Sequence, residues 1–389
     1  CHVAYPRLNA FGEAFAGKMN MRLPDWRSRM AVQSQDDQLA LPKSPPFAVR
    51  AQANVQAREG KEIDPVTGPT GNDSSLDFQS PYLIKLLSSA PLSDHLTYYF
   101  YGIFAEKGAN GEVIIEDAWF RHDDAFGTGV AAQLGQFQLS DLMFPRETRM
   151  TFQDFMVYRM AGVTYERGLL FSRELGGVDA ALGFVNGNGV NANFTINSPG
   201  YRRPDRMFDN DTRKTVFGRL GFDIGPVGAG LFFASGQQKN ATGPAGTGTG
   251  LRDTDKRVLG LDVSGEIGGR WFWFAQALWN RWDGFLDPAV NYEWSGAFAG
   301  VDYVPGGRWT YSALLNYADA GDLAGTDTIY EGIDMRTLTF TASYYFMRNV
   351  KGIIELNVDL LDEQPRTGTF YTGHLTREHY LLFGFDAAF

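Results

Sequence analysis

The chain has 389 residues, of which 21% are charged and 14% aromatic, and it carries 45 Gly and 17 Tyr. A net charge of -10 argues against a nucleic-acid partner, because phosphate backbones are held by basic patches. Mean hydropathy is only -0.25, and no stretch reaches the roughly 20 consecutive apolar residues of a membrane helix, which excludes a bundle of apolar helices.

A transmembrane barrel carries a weaker signal: tilted strands of about ten residues that alternate apolar and polar, so mean hydropathy stays low. Residues 1–46 lack that alternation. They hold Pro6, Pro24, Pro42, Pro45 and Pro46 and are read as an irregular segment outside the wall. The chain opens at Cys1-His2 with neither an initiator Met nor a signal peptide, which reads as a processed or truncated form.

From Phe47 onward the period is two. In the second half, 215–224 ends at Gly225-Pro226 and 227–235 follows. Segment 257–267 ends at Gly268-Gly269 before 270–282, and 292–304 ends at Pro305-Gly306-Gly307 before 308–319. Segment 335–347 ends at Arg348-Asn349 before 350–361. The connections between these hairpins, 187–212, 237–255, 283–291, 320–334 and 362–375, are longer and rich in Gly, Asp, Asn and Thr. Short turns alternating with long loops mark an outer-membrane barrel, with the turns periplasmic and the loops extracellular.

The faces agree. Ile354, Leu356, Val358 and Leu360 fall on one side of their segment, and Glu355, Asn357 and Asp359 on the other. Trp271, Trp273 and Trp279 share the lipid side of one predicted strand; Trp309, Tyr311 and Tyr317 share that of another. Such a display would aggregate in water. At the C-terminus His379, Leu381, Phe383, Phe385, Ala387 and Phe389 alternate to the terminal residue, as in the carboxy-terminal signal of outer-membrane barrels. The expectation is an all-β fold: a transmembrane antiparallel barrel of about 16 strands over residues 47–389, with even strand number and the weakest pattern over 150–180. The competing class is a soluble all-β protein, whose strands usually run about five or six residues.

The chemistry-bearing motif is Cys1-His2, the tail of the Cys-x-x-Cys-His run that attaches c-type haem. The first cysteine of such a run would lie three residues before residue 1. A lipidated N-terminal cysteine is the other reading. Cys1 is the single cysteine, so no intrachain disulfide forms.

The opening CHVAYPRLNAFGEAF, with EDAWFRHDDAFGTG (116–129), GQFQLSDLMFPRE (135–147) and REHYLLFGFDAAF (377–389), resembles the fused outer-membrane monohaem cytochrome–porin family. Its best-known members are iron oxidases. The resemblance implies one haem c on an N-terminal monohaem cytochrome c-like or plug segment, residues 1–46, below a porin-like barrel. Cys1 is then the second thioether and His2 the ligand of the haem iron. The other histidines are His95, His122, His374 and His379, while Met19, Met21 and Met30 lie close to the tether. A Met axial ligand raises haem potential, which suits Fe(II) oxidation and makes Met19 and Met21 the candidates for the sixth position.

The implied function is an electron conduit in the bacterial outer membrane. It passes electrons between an extracellular metal ion or small-molecule donor and a periplasmic c-type cytochrome, with outer-membrane lipid around it. The alternative is a passive or anion-selective porin without cofactor. The 135–147 run is also similar to anion-selective porins, and Arg146, Arg149, Arg159, Arg167, Arg173 and Arg219 are candidates to line a constriction. Asp209-Asn210-Asp211 and Asp319, Asp322 and Asp327 are candidate Ca2+ ligands or, more simply, solvated loop acids. Glycines in FVNGNGVNANF (184–194) read as a turn, and no Ser-His-Asp arrangement argues for hydrolysis.

Overall fold

The computed structural model describes residues 2–4, 7–8, 47–59, 63–64, 68–69, 74–106, 114–187, 212–241, 251–361 and 379–389. Sixteen strands form one closed antiparallel barrel. They begin with β1 Ala48–Glu59, β2 Ser74–Pro91, β3 Leu96–Glu106 and β4 Ile114–His122. β5 Ala131–Gln138, β6 Tyr165–Leu175, β7 Val178–Val185 and β8 Thr215–Ile224 follow. Next come β9 Val227–Ala241, β10 Leu251–Ile267, β11 Trp271–Asp283 and β12 Asn291–Tyr303. β13 Trp309–Asp319, β14 Met335–Met347, β15 Val350–Asp359 and β16 Tyr380–Ala388 complete the wall. Two short antiparallel pairs, His2–Ala4 with Arg7–Leu8 and Ile63–Asp64 with Gly68–Pro69, stand apart from it.

Each strand pairs with its chain neighbour, and β16 returns to β1 with Tyr380 opposite Arg58 and Ala388 opposite Arg50. The terminal residue seals the seam: Val49 N–H donates to Phe389 O at 2.7 Å and Phe389 N–H to Val49 O at 2.8 Å. At one end the connections are tight. Gly176 and Gly177 join β6 to β7 with φ of 58° and 87°, the left-handed pair that a two-residue hairpin of matching twist requires. Gly268 and Gly269, with φ of 62° and 67°, open the three-residue turn 268–270 between β10 and β11, where Ile267 faces Trp271. The expected loop at 237–255 is shorter than its polar composition suggests. β9 and β10 stay paired out to Ala241 opposite Leu251, because the backbone ladder extends whatever the side chains carry.

Period two sorts side chains between lipid and lumen. Ile354 and Leu356 point out at 46% and 43% exposure, while Glu355, Asn357 and Asp359 are buried inside. Trp271 and Trp279 are exposed on the outer face, with Trp273 half-buried beside them. Near the tight-turn end the outer face carries a run of ring contacts. Trp271 stacks on Tyr303 at 4.2 Å, Trp309 meets Tyr344 at 4.9 Å, and Tyr344 meets Phe346 at 5.3 Å. This is the amphipathic belt that seats a barrel at a membrane interface. A closed wall with apolar residues facing outward and polar ones inward is built for lipid outside and water inside.

Within 150–180, where the sequence pattern fades, the first half lies out of the wall and the rest, from Tyr165, is in it. The chain departs after Gln138 and rejoins at Tyr165. The intervening residues turn into the lumen.

Candidate functional site

Segment 139–164 fills much of the barrel interior. It begins with 3-10 turns at Leu139–Leu142 and Arg146–Thr148 and contains one short helix, α1 Met156–Met160. Its apolar half packs on the inner wall of β11 and β12: Phe155 stacks on Phe298 at 4.3 Å and lies 5.5 Å from Phe274, and Tyr158 lies edge-on to Phe298 at 5.3 Å. Burial of each such large apolar side chain contributes about 1.5–3 kcal/mol. The lumen face of this half is accordingly apolar, with Phe217, Phe232, Leu278 and Trp282 fully buried.

Polar contacts pin the segment in place. Phe152 N–H and Gln153 N–H donate to the Glu355 carboxylate at 2.6 and 2.8 Å, and Thr341 and Tyr380 hydroxyls donate to it at 2.6 Å each. Met156 N–H donates to Asn316 at 3.2 Å, and Lys256 Nζ to Gly162 O at 3.0 Å. Buried backbone donors of an irregular segment need such partners.

The charged half faces β1, β2, β15 and β16. Arg146 forms a two-pronged pair with Asp154, and Arg149 stands 3.5 Å from the same carboxylate. Burial alone would raise the Asp154 pKa, but Arg146 and Arg149 hold it well below the usual carboxylate range. Glu147 reaches across to the wall: Lys85 Nζ donates to it at 3.0 and 3.1 Å and Arg50 Nη1 at 3.2 Å. Burial opposes the ionised form of Glu147 as well, yet Lys85, Arg50 and Arg149 bring its pKa down to about 2. Arg50 also grips Asp386 at 2.8 and 3.0 Å, and Lys351 Nζ lies 4.0 Å from Asp386. The gap between segment and wall is lined by Arg50, Lys85, Arg146, Arg149 and Lys351 against Glu116, Glu147 and Asp386. Cations therefore outnumber carboxylates there.

A second basin opens at the tight-turn end, lined by Arg121, Arg173 and Arg219 among acids. Arg121 donates to Ser172 at 3.0 Å, and Arg219 pairs with Asp262 at 2.6 and 3.0 Å. Asp141 on the segment borders this basin. Burial and the nearby Glu147 charge push its pKa up to about 7. His95 and His122 stack at 5.6 Å on the rim.

The six arginines singled out from sequence thus separate. Arg146, Arg149 and Arg159 lie on the inward segment, Arg173 and Arg219 at the basin, and Arg167 donates to Gln136 at 3.0 Å. They do not form one ring. Sequence reasoning missed Arg50, Lys85 and Lys351. Their signal was inward parity on β1, β2 and β15.

Of the haem candidates, Cys1, Met19 and Met21 lie outside the described residues, as does Met30. His2 sits on a short strand opposite Leu8. Of the remaining histidines, His374 is outside the described residues, and His379 Nδ1 accepts from Asp359 N–H at 3.2 Å. Asp209, Asn210 and Asp211 are outside too. Asp319 and Asp322 accept backbone N–H groups of Gly321 and Glu293 at 2.8 and 3.0 Å. Among the described residues no group of three or more His, Cys, Asp or Glu side chains is placed to hold a metal ion.

The sequence matches no protein-family model and no curated protein. Solved structures do match. An anion-selective porin from Comamonas acidovorans aligns over 89% of this chain and 99% of its own, at TM-score 0.58 and 16% identity. The outer-membrane channel DcaP of Acinetobacter baumannii aligns over 92% and 100%, at 0.59 and 12% identity. Salmonella typhi OmpF, solved in complex with daunomycin, aligns over 89% and 98%, at 0.56 and 12% identity. These likenesses identify the fold as the porin-like, 16-strand barrel of the bacterial outer membrane.

Proposed function

We propose that this porin-like outer-membrane barrel is a diffusion channel whose narrow passage favours anions. The observation that carries the reading is the gap between segment 139–164 and the wall, where Arg50, Lys85, Arg146, Arg149 and Lys351 outnumber Glu116, Glu147 and Asp386. Cationic side chains at a constriction lower the energy of a passing anion and raise that of a cation. The surplus is local, since the whole chain carries -10. The similarity to a porin described as anion-selective supports the same choice.

A second reading rests on Cys1-His2. There the chain is an electron conduit: Cys1 tethers one haem c, His2 ligates its iron, and Met19 or Met21 takes the sixth position. The haem would supply one-electron chemistry between an outer donor such as Fe(II) and a periplasmic c-type cytochrome.

One preparation tests both readings. Purified chain in a planar bilayer under a KCl gradient should give a reversal potential of the sign for chloride over potassium, and Lys85→Glu should move it toward the opposite sign. A wild-type preference for potassium sinks the anion reading. A c-type Soret band in the same preparation, lost in His2→Ala, would establish the conduit, and a colourless preparation would remove it.

A further inference from the structure

We propose that Arg50 and Lys85 form a subsite for small carboxylates crossing the lumen, and that Glu147 is its tethered competitor. The proposal rests on the channel reading and names a solute class for it.

Two carboxylates share Arg50, and they differ in kind. Asp386 takes Nε and Nη2 at 3.0 and 2.8 Å, accepts from Gln52 at 3.1 Å, and is 1% exposed. It is part of the wall. Glu147 takes Nη1 and both Lys85 contacts, and its side chain is 38% exposed. Solute in the lumen can reach it.

The backbone on either side of Glu147 is fixed. Thr148 N–H donates to Pro145 O at 3.1 Å and Arg149 N–H to Arg146 O at 3.4 Å, and further on Phe152 and Gln153 are held by Glu355. Only the side chain spans the gap to the wall, and that side chain is chemically a propionate on a short leash. A rotamer change therefore releases Lys85 and the Arg50 Nη1 from Glu147 without moving the segment, while Arg50 keeps its grip on Asp386. Lys85 is positioned independently of Glu147, with Nζ 4.6 Å from the centre of the Tyr101 ring. Asn54 borders the same gap. It is 5% exposed, and its buried Nδ2 has no hydrogen-bond partner among the described residues.

The competitor has a use. A permeating ion must bind well enough to enter and weakly enough to leave. A carboxylate tethered at the site lowers the apparent affinity of a free one in proportion to the time it occupies the pair, which shortens residence.

Propionate is the probe, titrated calorimetrically into the full chain in detergent, for wild type, Glu147→Gln and Lys85→Gln/Glu147→Gln. If Glu147 holds the pair about nine-tenths of the time, Glu147→Gln should bind propionate ~tenfold more tightly, and the added Lys85→Gln should cancel the gain. Glu147→Asp, one methylene shorter but still charged, should gain less. Affinities of wild type and Glu147→Gln within about twofold overturn the proposal, as does a gain that survives Lys85→Gln. Chloride current through the same samples separates the two claims. A tenfold gain without current keeps the subsite and discards the channel, whereas current without the gain discards the competitor.

Discussion

The two sides of the lumen are built on the same strand period and filled differently. Along β8, β9, β11 and β12 the inward positions are Phe217, Phe232, Phe274, Leu278 and Phe298, and segment 139–164 covers them. Along β1, β2, β15 and β16 they are Arg50, Gln52, Lys85, Lys351 and Asp386, lining the gap. The difference teaches that an inward position in a barrel is polar where water reaches it or where an inserted segment needs a hydrogen-bond partner, as at Glu355 and Asn316. Elsewhere under the segment it behaves as a protein core, and the segment follows suit, charged over 146–149 and apolar over 155–163 apart from Arg159.

The largest expected effect falls on the covered side. Phe298→Ala removes the ring that Phe155, Tyr158 and Phe144 all touch, and should cost about 3–5 kcal/mol of stability. Phe340→Ala, on the lipid face at 48% exposure, should cost clearly less. Urea titration of the heat-modifiable electrophoretic band compares them, and equal midpoints would break the contrast between the faces.

Next is the pin between the sides. Glu355→Ala strands the donors of Phe152, Gln153 and Thr341 and leaves the Tyr380 hydroxyl with Gln153 Oε1 alone, and should cost about 3 kcal/mol. Channel noise should rise as the segment loses its hold. Steady current with unchanged stability would show that the apolar contacts alone hold it.

The smallest effect is on the charged side and depends on pH. Glu147 titrates near 2, below the ordinary 4.5, so its link to Lys85 and Arg50 is fully present above about pH 4.5 and is lost as pH falls toward 2. Chloride preference, read from reversal potentials, should therefore rise in that interval as the two cations lose their counter-charge. The rise should be absent in Glu147→Gln, and a rise of equal size there would assign the titration to another group.

Much of the wall was legible in the sequence, because period two is a local property. β8 and β14 have the bounds read from Gly225-Pro226 and Arg348-Asn349, and Glu355 and Leu356 sort to the expected faces. The lumen was less legible. The sequence reading sets a plug in residues 1–46, which apart from two short strands lie outside the described residues. Among the described residues the occupant is 139–164, whose apolar run FMVYRMAGV resembles a poor strand when its partners on β11 and β12 are unknown. Glu355 reads as one more inward carboxylate until Phe152 and Gln153, 203 and 202 residues away, are seen to need it. Contacts at such separation leave no local trace.

The seam between β16 and β1 has a consequence for biogenesis. Arg50 and Asp386 meet across 336 positions, and the closing backbone bonds involve Phe389 itself. No vectorial, strand-by-strand emergence of the chain can seal the cylinder early. Until the final strand arrives, two raw sheet edges await partners, an invitation to aggregate that folding factors must shield.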